Sequence, residues 1–376
     1  MKKLGLYIHI PFCVKKCNYC DFLSAPATKQ VQMAYMETLQ KEIEEKATEY
    51  KDWNVDTVFI GGGTPTSVPY ESIVRIMDTV RTGFRIDEDC EITMECNPGT
   101  VTKEALEAYL AVGINRLSIG LQSADDELLK QLGRIHTYEQ FLETFHWARK
   151  AGFKNINVDI MSGLPNQTLE QYEDTLKKLV ELGVEHISAY SLIVEEGTPF
   201  YKLYEEDRLE LPDENTEREM YYRTNAVLQE AGFERYEISN YAKKGYECRH
   251  NVRYWIREAY LGLGLGAASM IENSRYKNTE WMDEYLTENK YMEKTEVQKL
   301  SKEECIEEFM FLGLRMTAGI SKTKFEQTFG VPIEDVYGKV LLRLKEQKLI
   351  YEVGDSIFLT EYGLDVSNHV WVEFLL

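Results

Sequence analysis

The sequence has few basic residues, few histidines and no long apolar run. Lysine and arginine together number 43 against 63 aspartate and glutamate residues, so the formal net charge is −20. A chain this acidic repels the phosphate backbone, and because no basic stripe is visible we expect no nucleic-acid partner. No segment approaches the roughly 20 apolar residues that cross a bilayer, and no signal-peptide pattern is present. We therefore expect a cytoplasmic protein without a transmembrane segment, although a local patch leaves peripheral membrane contact open.

The seven cysteines do not suggest a disulfide framework, because their number is odd and three of them are clustered. Cys13, Cys17 and Cys20 form the pattern C-x3-C-x2-C directly after a strand-like apolar run. Three thiolates can hold three irons of a [4Fe–4S] cube and leave the fourth iron open for an exchangeable ligand. Zinc is the alternative, but a closed zinc site needs four ligands, usually as two pairs, and no second pair follows.

Short β-like runs alternate with longer amphipathic segments, which predicts βαβ units and a parallel sheet. The predicted strands are Gly5–Ile10, Thr57–Ile60, Glu91–Glu95, Arg116–Ile119, Asn155–Ile160 and His186–Ser191, with Tyr236–Ser239 as a seventh candidate. The predicted helices lie near Met33–Tyr50, Tyr70–Thr82, Lys103–Leu110, Tyr138–Ala151, Leu169–Leu182 and Glu217–Ala231. This pattern alone fits a partial, TIM-like (β/α)6 barrel or a doubly wound sheet.

A charged stretch around Glu280–Glu304 separates this region from the end of the chain, so we predict domains at residues 1–295 and 296–376. The second domain is predicted to contain three helices and a hairpin, an arrangement that resembles a winged helix. Its basic residues are offset by many acids, which favours a lid or a docking module over DNA binding. Its predicted elements are Cys305–Leu314, Lys322–Phe329, Ile333–Glu346, Leu349–Val353 and Ser356–Leu359.

The segment from Tyr7 to Phe22, which contains the three cysteines, closely resembles the signature of radical S-adenosylmethionine (SAM) proteins. The resemblance implies a partial barrel that binds a [4Fe–4S] cluster and SAM, with SAM on the open iron. It also implies an electron donor, because the reduced cluster cleaves SAM to a 5′-deoxyadenosyl radical in that family.

The loops that follow the predicted strands extend the resemblance to the oxygen-independent coproporphyrinogen III oxidases and their relatives. Gly61-Gly62-Gly63-Thr64 follows the second strand, and Glu95-Cys96-Asn97-Pro98 ends the third. The resemblance implies one SAM, and leaves open a second. The residues implied for the first SAM are Tyr7, Gly62 and Glu95; those implied for the second are Gly63, Thr64, Gln122, Arg134 and Asp159.

Two departures from the oxidases resemble the HemW-type haem chaperones instead. Phe22 stands where the oxidase has a further cysteine, and the first strand begins close to Met1, where the oxidase has an extension. A third feature is the motif H-N-x-x-Y-W, which is associated with haem binding in those chaperones. The resemblance implies haem binding by His250, Asn251, Tyr254 and Trp255, with His250 as the candidate axial ligand and Cys248 as an alternative.

The expected function is therefore that of a haem chaperone that binds a [4Fe–4S] cluster, SAM and haem, and transfers haem to an acceptor haem protein. The alternative is an oxygen-independent coproporphyrinogen III dehydrogenase, which would decarboxylate two propionates by hydrogen abstraction. Other radical chemistry on a tetrapyrrole is a third hypothesis, so the sequence leaves enzymatic activity open.

Overall fold

Six parallel strands and the helices between them form the first part of the chain in the computed structural model, which describes residues 2–287 and 290–376. The elements are β1 (Lys2–Ile10), α1 (Lys29–Glu49), β2 (Trp53–Gly62), α2 (Tyr70–Gly83), β3 (Arg85–Cys96), α3 (Lys103–Ala111), β4 (Arg116–Gln122), α4 (Asp126–Gln131), α5 (Tyr138–Ala151), β5 (Ile156–Ser162), α6 (Leu169–Leu182), β6 (His186–Ser191), α7 (Pro199–Glu205) and α8 (Glu214–Glu230). Strands β1 to β6 lie side by side in chain order. A doubly wound sheet would reverse that order at a switch point, so the predicted partial (β/α)6 barrel is confirmed.

Alternation along the strands separates the core of the barrel from its polar interior. In β1, Leu4, Leu6 and Ile8 are fully buried in the main hydrophobic core. Successive side chains of a strand point to opposite faces, so Tyr7 and His9 lie on the other face. The same alternation in β2 to β6 leaves the interior of the barrel lined largely by polar groups.

Local signals fix the ends of the two helices that flank β5. Helix α5 begins at a capping box of Thr137 and Gln140, and it ends at Gly152 in the left-handed conformation. Helix α6 begins at a capping box at Thr168 and ends at Gly183, which is also left-handed. These interactions satisfy backbone groups at the helix ends, and the predicted bounds of both helices are confirmed.

Antiparallel strands extend the sheet at both edges. The elements are β7 (Glu234–Arg235), β8 (Asn240–Ala242), α9 (Arg249–Trp255), β9 (Tyr260–Leu263), β10 (Ala268–Ile271), β11 (Ser274–Asn278), α10 (Met282–Tyr285) and β12 (Lys294–Lys299). The order across the sheet is β12-β11-β10-β9-β1-β2-β3-β4-β5-β6-β8-β7. Strand β9 is parallel to β1, whereas β8 is antiparallel to β6. The sheet is therefore mostly parallel and does not close.

The prediction of a strand at Tyr236–Ser239 is wrong, because these residues connect β7 to β8. The Tyr236 hydroxyl lies 2.8 Å from Nε2 of His186 and accepts the backbone N–H of Cys248 at 3.2 Å. The β-like pattern of this segment thus reflects burial of the Tyr236 side chain rather than membership of a β-strand.

The end of the chain folds around its own hydrophobic core, in which Met310, Phe325 and Phe374 are fully buried. Its elements are α11 (Lys302–Gly313), β13 (Ile320–Ser321), α12 (Lys322–Phe329), α13 (Ile333–Glu346), β14 (Ile350–Val353), β15 (Ser356–Leu359), α14 (Glu361–Asp365) and α15 (Ser367–Val372). The predicted boundary between residues 295 and 296 falls inside β12. The division of the chain into two domains stays a prediction. Within the described residues, no helix is both long and apolar enough to cross a membrane.

Candidate functional site

The three clustered cysteines lie on the loop between β1 and α1, which is fixed by contacts to distant parts of the chain. The backbone N–H of Asn18 donates to the Leu132 carbonyl at 2.9 Å, and that of Phe200 donates to the Asn18 carbonyl at 3.0 Å. Phe12 and Ala25 also form an isolated β-bridge across the base of the loop. The loop is therefore held at the carboxyl ends of the parallel strands, where barrels of this kind carry their functional sites.

One cavity of about 350 Å³ brings together most of the predicted site residues. It is lined by the cysteine loop and by residues of β2 to β6. The predicted residues on its wall are Cys13, Cys17, Cys20, Gly62, Gly63, Thr64, Glu95, Gln122, Arg134, Asp159 and Asn251. Four predicted residues are not on its wall: Tyr7, His250, Tyr254 and Trp255.

The donors around the cavity fit a [4Fe–4S] cluster. All three thiols are free and half-buried. The Thr64 hydroxyl lies 3.6 Å from Sγ of Cys13, and the Arg134 guanidinium lies 3.8 Å from Sγ of Cys17, so both could stabilise a thiolate. Across residues 2–287 and 290–376, no three His, Cys, Asp or Glu side chains converge as the ligands of a single metal ion would. In a cube each thiolate binds its own iron, so three separate thiols on one loop fit the three protein ligands of a cluster.

Strand β2 ends in a glycine turn that leaves no room for side chains. Gly62 has a φ of 108°, and a Cβ atom at this position would lie 2.3 Å from the ring of His9. A Cβ atom on Gly63 would lie 2.7 Å from the carbonyl oxygen of Phe12. Only glycine therefore allows the backbone to come this close to β1 and the cysteine loop while it lines the cavity.

Two carboxyl groups face the cavity from β3 and β5. The Glu95 carboxyl accepts the backbone N–H of Gly62 at 2.9 Å, and burial together with the charge of Asp159 raises the pKa of Glu95 to about 8. Asp159 accepts hydrogen bonds from Ser118 at 3.0 Å and from Asn157 at 2.8 Å, yet burial also raises its pKa. Raised pKa values of this kind are concentrated at functional sites, and carboxyl groups can form hydrogen bonds with hydroxyl groups of a ligand.

Gln122 and Arg134 form another part of the wall at the end of β4. Gln122 has a φ of 72°, and the pairing of β4 with β5 shifts register between Gly120 and Gln122. A positive φ in a residue other than glycine is unfavourable and is concentrated at functional sites. The Arg134 guanidinium donates to the Gly120 carbonyl and to the side-chain oxygen of Asn97. These bonds fix Arg134 beside the cysteine loop.

Tyr7 lies behind this wall and supports the loop. Its hydroxyl lies 3.0 Å from Nδ1 of His9, and Nε2 of His9 lies 2.9 Å from the carbonyl oxygen of Leu23. A carbonyl oxygen only accepts, so Nε2 carries the proton and Nδ1 accepts from the Tyr7 hydroxyl. This chain of hydrogen bonds links β1 to the cysteine loop, and a direct contact of Tyr7 with SAM stays a prediction.

His250 lies on α9 and is buried, with only 1% of its surface exposed. Its Nδ1 lies 3.0 Å from the Thr57 hydroxyl, and its Nε2 lies 2.8 Å from the Tyr254 hydroxyl. Burial, with the nearby charges of Arg253 and Arg116, lowers the pKa of His250 to about 3. The imidazole is therefore neutral, as a haem ligand must be, but one of its hydrogen bonds would have to break before it could bind iron.

The other residues of the H-N-x-x-Y-W motif face different surroundings. Asn251 lines the cavity, whereas the ring of Trp255 lies 4.3 Å from the guanidinium carbon of Arg315. The ring of Tyr254 packs against Tyr260 with 4.7 Å between centroids. The four motif residues thus do not meet on one surface in this conformation, and their role in haem binding stays a prediction.

Sequence reasoning missed several polar residues of the cavity wall. A signal for part of this set was present, because polar residues at alternate positions of a strand lie on the same face. In β4 these positions carry Arg116 and Ser118, and in β5 they carry Asn157 before Asp159. The missed residues are Asn97, Arg116, Ser118, Asn157, Ser188 and Tyr190.

Comparison with known proteins agrees with this fold and cavity. A model of the Radical SAM superfamily matches residues 7–179, and a model of the HemN C-terminal domain matches residues 300–366. The structure is similar to that of the coproporphyrinogen III oxidase HemN from Escherichia coli, with a TM-score of 0.86 and 25% identity, over 100% of this chain and 90% of that chain. Fold, cavity and matches together define a radical SAM protein.

Curated relatives narrow the class further. The chain is 39% identical over 372 residues to Heme chaperone HemW of Bacillus subtilis (strain 168), which covers 98% of both chains. It is 33% identical over 383 residues to Heme chaperone HemW of Escherichia coli (strain K12), which covers 99% of this chain and 98% of that protein. The chain belongs to the HemW family of radical SAM proteins.

Proposed function

We propose that this protein is a haem chaperone that retains a radical SAM cofactor site and passes haem to an acceptor haem protein. The observation that carries the proposal is the similarity to Heme chaperone HemW of B. subtilis over 98% of both chains. Phe22 supports it, because a 63% exposed phenylalanine stands where the resemblance to the oxidase implies a further cysteine.

Cys13, Cys17 and Cys20 would hold three irons of a [4Fe–4S] cluster at the mouth of the cavity. When bound and reduced by an electron donor, that cluster supplies the electron that cleaves SAM. The glycine turn lets a ligand approach the β2 backbone, while carboxyl, amide and guanidinium groups supply its polar contacts. The residues that we propose for one or two SAM molecules are Tyr7, Gly62, Gly63, Thr64, Glu95, Gln122, Arg134 and Asp159.

Cysteine variants test the cluster assignment. We expect Cys13→Ser, Cys17→Ser and Cys20→Ser each to lose most of the bound iron and sulfide after anaerobic reconstitution, because two thiolates hold a cube poorly. Cys305→Ser is the control, since that thiol is buried on α11 and does not line the cavity. Iron and sulfide contents equal to those of the wild type in all four variants would contradict the assignment.

His250, with Asn251, Tyr254 and Trp255, is the proposed haem site, and α9 would have to move to expose it. We expect the reconstituted protein to bind one equivalent of haem, and His250→Ala to lose this binding. Tyr254→Phe keeps the ring but frees Nε2 of His250. Because a hydrogen bond contributes about 1 kcal/mol, we expect this variant to bind haem about fivefold more tightly. Unchanged haem spectra in His250→Ala would assign the ligand elsewhere.

The second candidate is an oxygen-independent coproporphyrinogen III dehydrogenase, and the structural similarity to HemN favours it. Anaerobic incubation with coproporphyrinogen III, SAM and reductant separates the two functions. A chaperone should form no protoporphyrinogen while it binds haem. Product formation without haem binding would make the second candidate correct.

A further inference from the structure

Arg116 is a buried cation deep in the cavity. It lines the cavity, is 1% exposed, and its Nε donates to no acceptor within the part of the chain that the structure describes. It is the first residue of β4, whereas Gln122 is the last, which places Arg116 roughly 20 Å along the strand from the cysteine end. A ligand that extends inward from the cysteine loop would thus bring its far end towards this guanidinium.

The two carboxylates whose charges act on Arg116 already accept other hydrogen bonds. Glu91 accepts the backbone N–H groups of Arg249 and His250, each at 3.0 Å, at the start of α9. Asp159 accepts hydrogen bonds from its neighbours on β4 and β5. Both carboxylates act on Arg116 only through space, because no salt bridge joins either of them to it among the described residues. The guanidinium is therefore not paired with either carboxylate.

We propose that Arg116 binds a carboxylate group of the ligand that fills this cavity. A guanidinium presents a planar fork of donors that matches the two oxygens of a carboxylate, and a buried charge without a partner is unfavourable until such a group arrives. Two sources offer the same aliphatic carboxylate, namely the methionine end of a second SAM molecule, since the first would bind the open iron at the cysteine end, and a propionate of a tetrapyrrole. The inference rests on the proposed function, because that function supplies both ligands.

Paired ligands that differ only in the carboxylate test this site. Full-length protein with a reconstituted cluster is titrated with SAM and decarboxylated SAM, and separately with haem and haem dimethyl ester. For each pair, the dissociation constant of the ligand without the carboxylate is divided by that of the ligand with it. This ratio is measured in the wild type, Arg116→Met and Arg116→Lys. In one pair, we expect Arg116→Met to reduce the ratio by about 10- to 100-fold, which is the effect of a charge-assisted hydrogen bond. Arg116→Lys should keep part of the preference, and the affected pair identifies the source.

If the ratio is the same in the wild type and in Arg116→Met for both pairs, the proposal is overturned. Arg116 would then serve only as a counter-charge to Glu91 and Asp159. Arg149→Met is the matched control, since Arg149 pairs with Glu185 at 2.8 Å and does not line the cavity. Cluster content and circular dichroism establish that each variant is folded, and Arg116→Lys supplies a charge-conserving variant. Failure of the wild type to bind haem would count against the proposed function, and the SAM pair would still decide the role of Arg116.

Discussion

Glu95 is the residue whose ionisation most directly affects the candidate SAM site. Its pKa of about 8 means that the carboxyl group is mainly protonated at neutral pH. A ligand ammonium group favours the charged carboxylate and would lower its pKa, so the contribution of Glu95 to binding should grow as pH rises towards 8 and level off above it. SAM titrations of wild type and Glu95→Gln across this range measure that contribution. The same pH profile in both proteins would contradict a contact between Glu95 and the cation.

Gly62 gives a prediction about stability. Alanine at this position would be strained by the φ of 108° and would also bring Cβ within 2.3 Å of the His9 ring. Gly232→Ala is a matched control, because Gly232 has a φ of 81° but no atom within 4 Å of a Cβ. We expect both variants to lose about 1 kcal/mol of unfolding free energy through backbone strain, and Gly62→Ala to lose a further ~1–3 kcal/mol through overlap. Denaturant titration measures both, and equal losses would exclude the steric contribution.

At the scale of single residues, the sequence predicts those site residues that belong to a continuous motif. The cysteine spacing and the consecutive glycines could be recognised because each motif is continuous in the chain. Alternation in β4 signals that Arg116 is on the cavity face, but not that its charge is unpaired, since this depends on hydrogen bonds that Glu91 and Asp159 make to other elements. The burial of His250 likewise depends on Thr57, which is distant in sequence.

Among the elements, those with strong local signals were predicted best. Helices α5 and α6 have capping boxes and terminal glycines, and their bounds agree with the prediction. The short strands β9 to β12 and helix α9 were missed, because four to seven residues are too few to show a period, and they lack a turn such as Gly354-Asp355, which marks the equally short β14 and β15. Their conformation is set by pairing with distant strands, such as that of β9 with β1.

Helix α9 gives a prediction at the scale of an element. The Glu91 carboxylate accepts the first backbone N–H groups of α9, so Glu91→Ala should leave them unpaired and destabilise the fold by about 2 kcal/mol. If haem binding requires α9 to move, the variant should bind haem more tightly, because the competent conformation becomes more populated. Amide hydrogen exchange of α9 and haem titration measure the two effects.

Asp213→Ala is the control for that experiment, since Asp213 caps the exterior helix α8 through the backbone N–H of Thr216 at 2.8 Å. It should cost a similar free energy of unfolding and leave haem affinity unchanged. Faster exchange in α9 of Glu91→Ala without tighter haem binding would separate the movement of α9 from haem uptake.

At the scale of the whole molecule, α9 connects the two parts of the chain. It starts on β3 through Glu91, and its last residue, Trp255, packs against Arg315 of the C-terminal part. The backbone N–H of Thr317 also donates to the Tyr236 carbonyl at 3.0 Å. The candidate haem motif is therefore in direct contact with the C-terminal part. The sequence predicted both parts but not this connection, because it rests on contacts between residues far apart in the chain.

Transfer of haem to an acceptor tests the central claim most directly. The reconstituted protein is loaded with one equivalent of haem, mixed with an apo-haem protein, separated from it by chromatography, and both fractions are examined by absorbance. We expect the haem spectrum to move from the loaded protein to the acceptor fraction, whereas His250→Ala, treated in the same way and freed of unbound haem, should carry no haem to transfer. Failure of the protein to take up haem, or retention of the haem after mixing with the acceptor, would contradict its assignment as a haem chaperone.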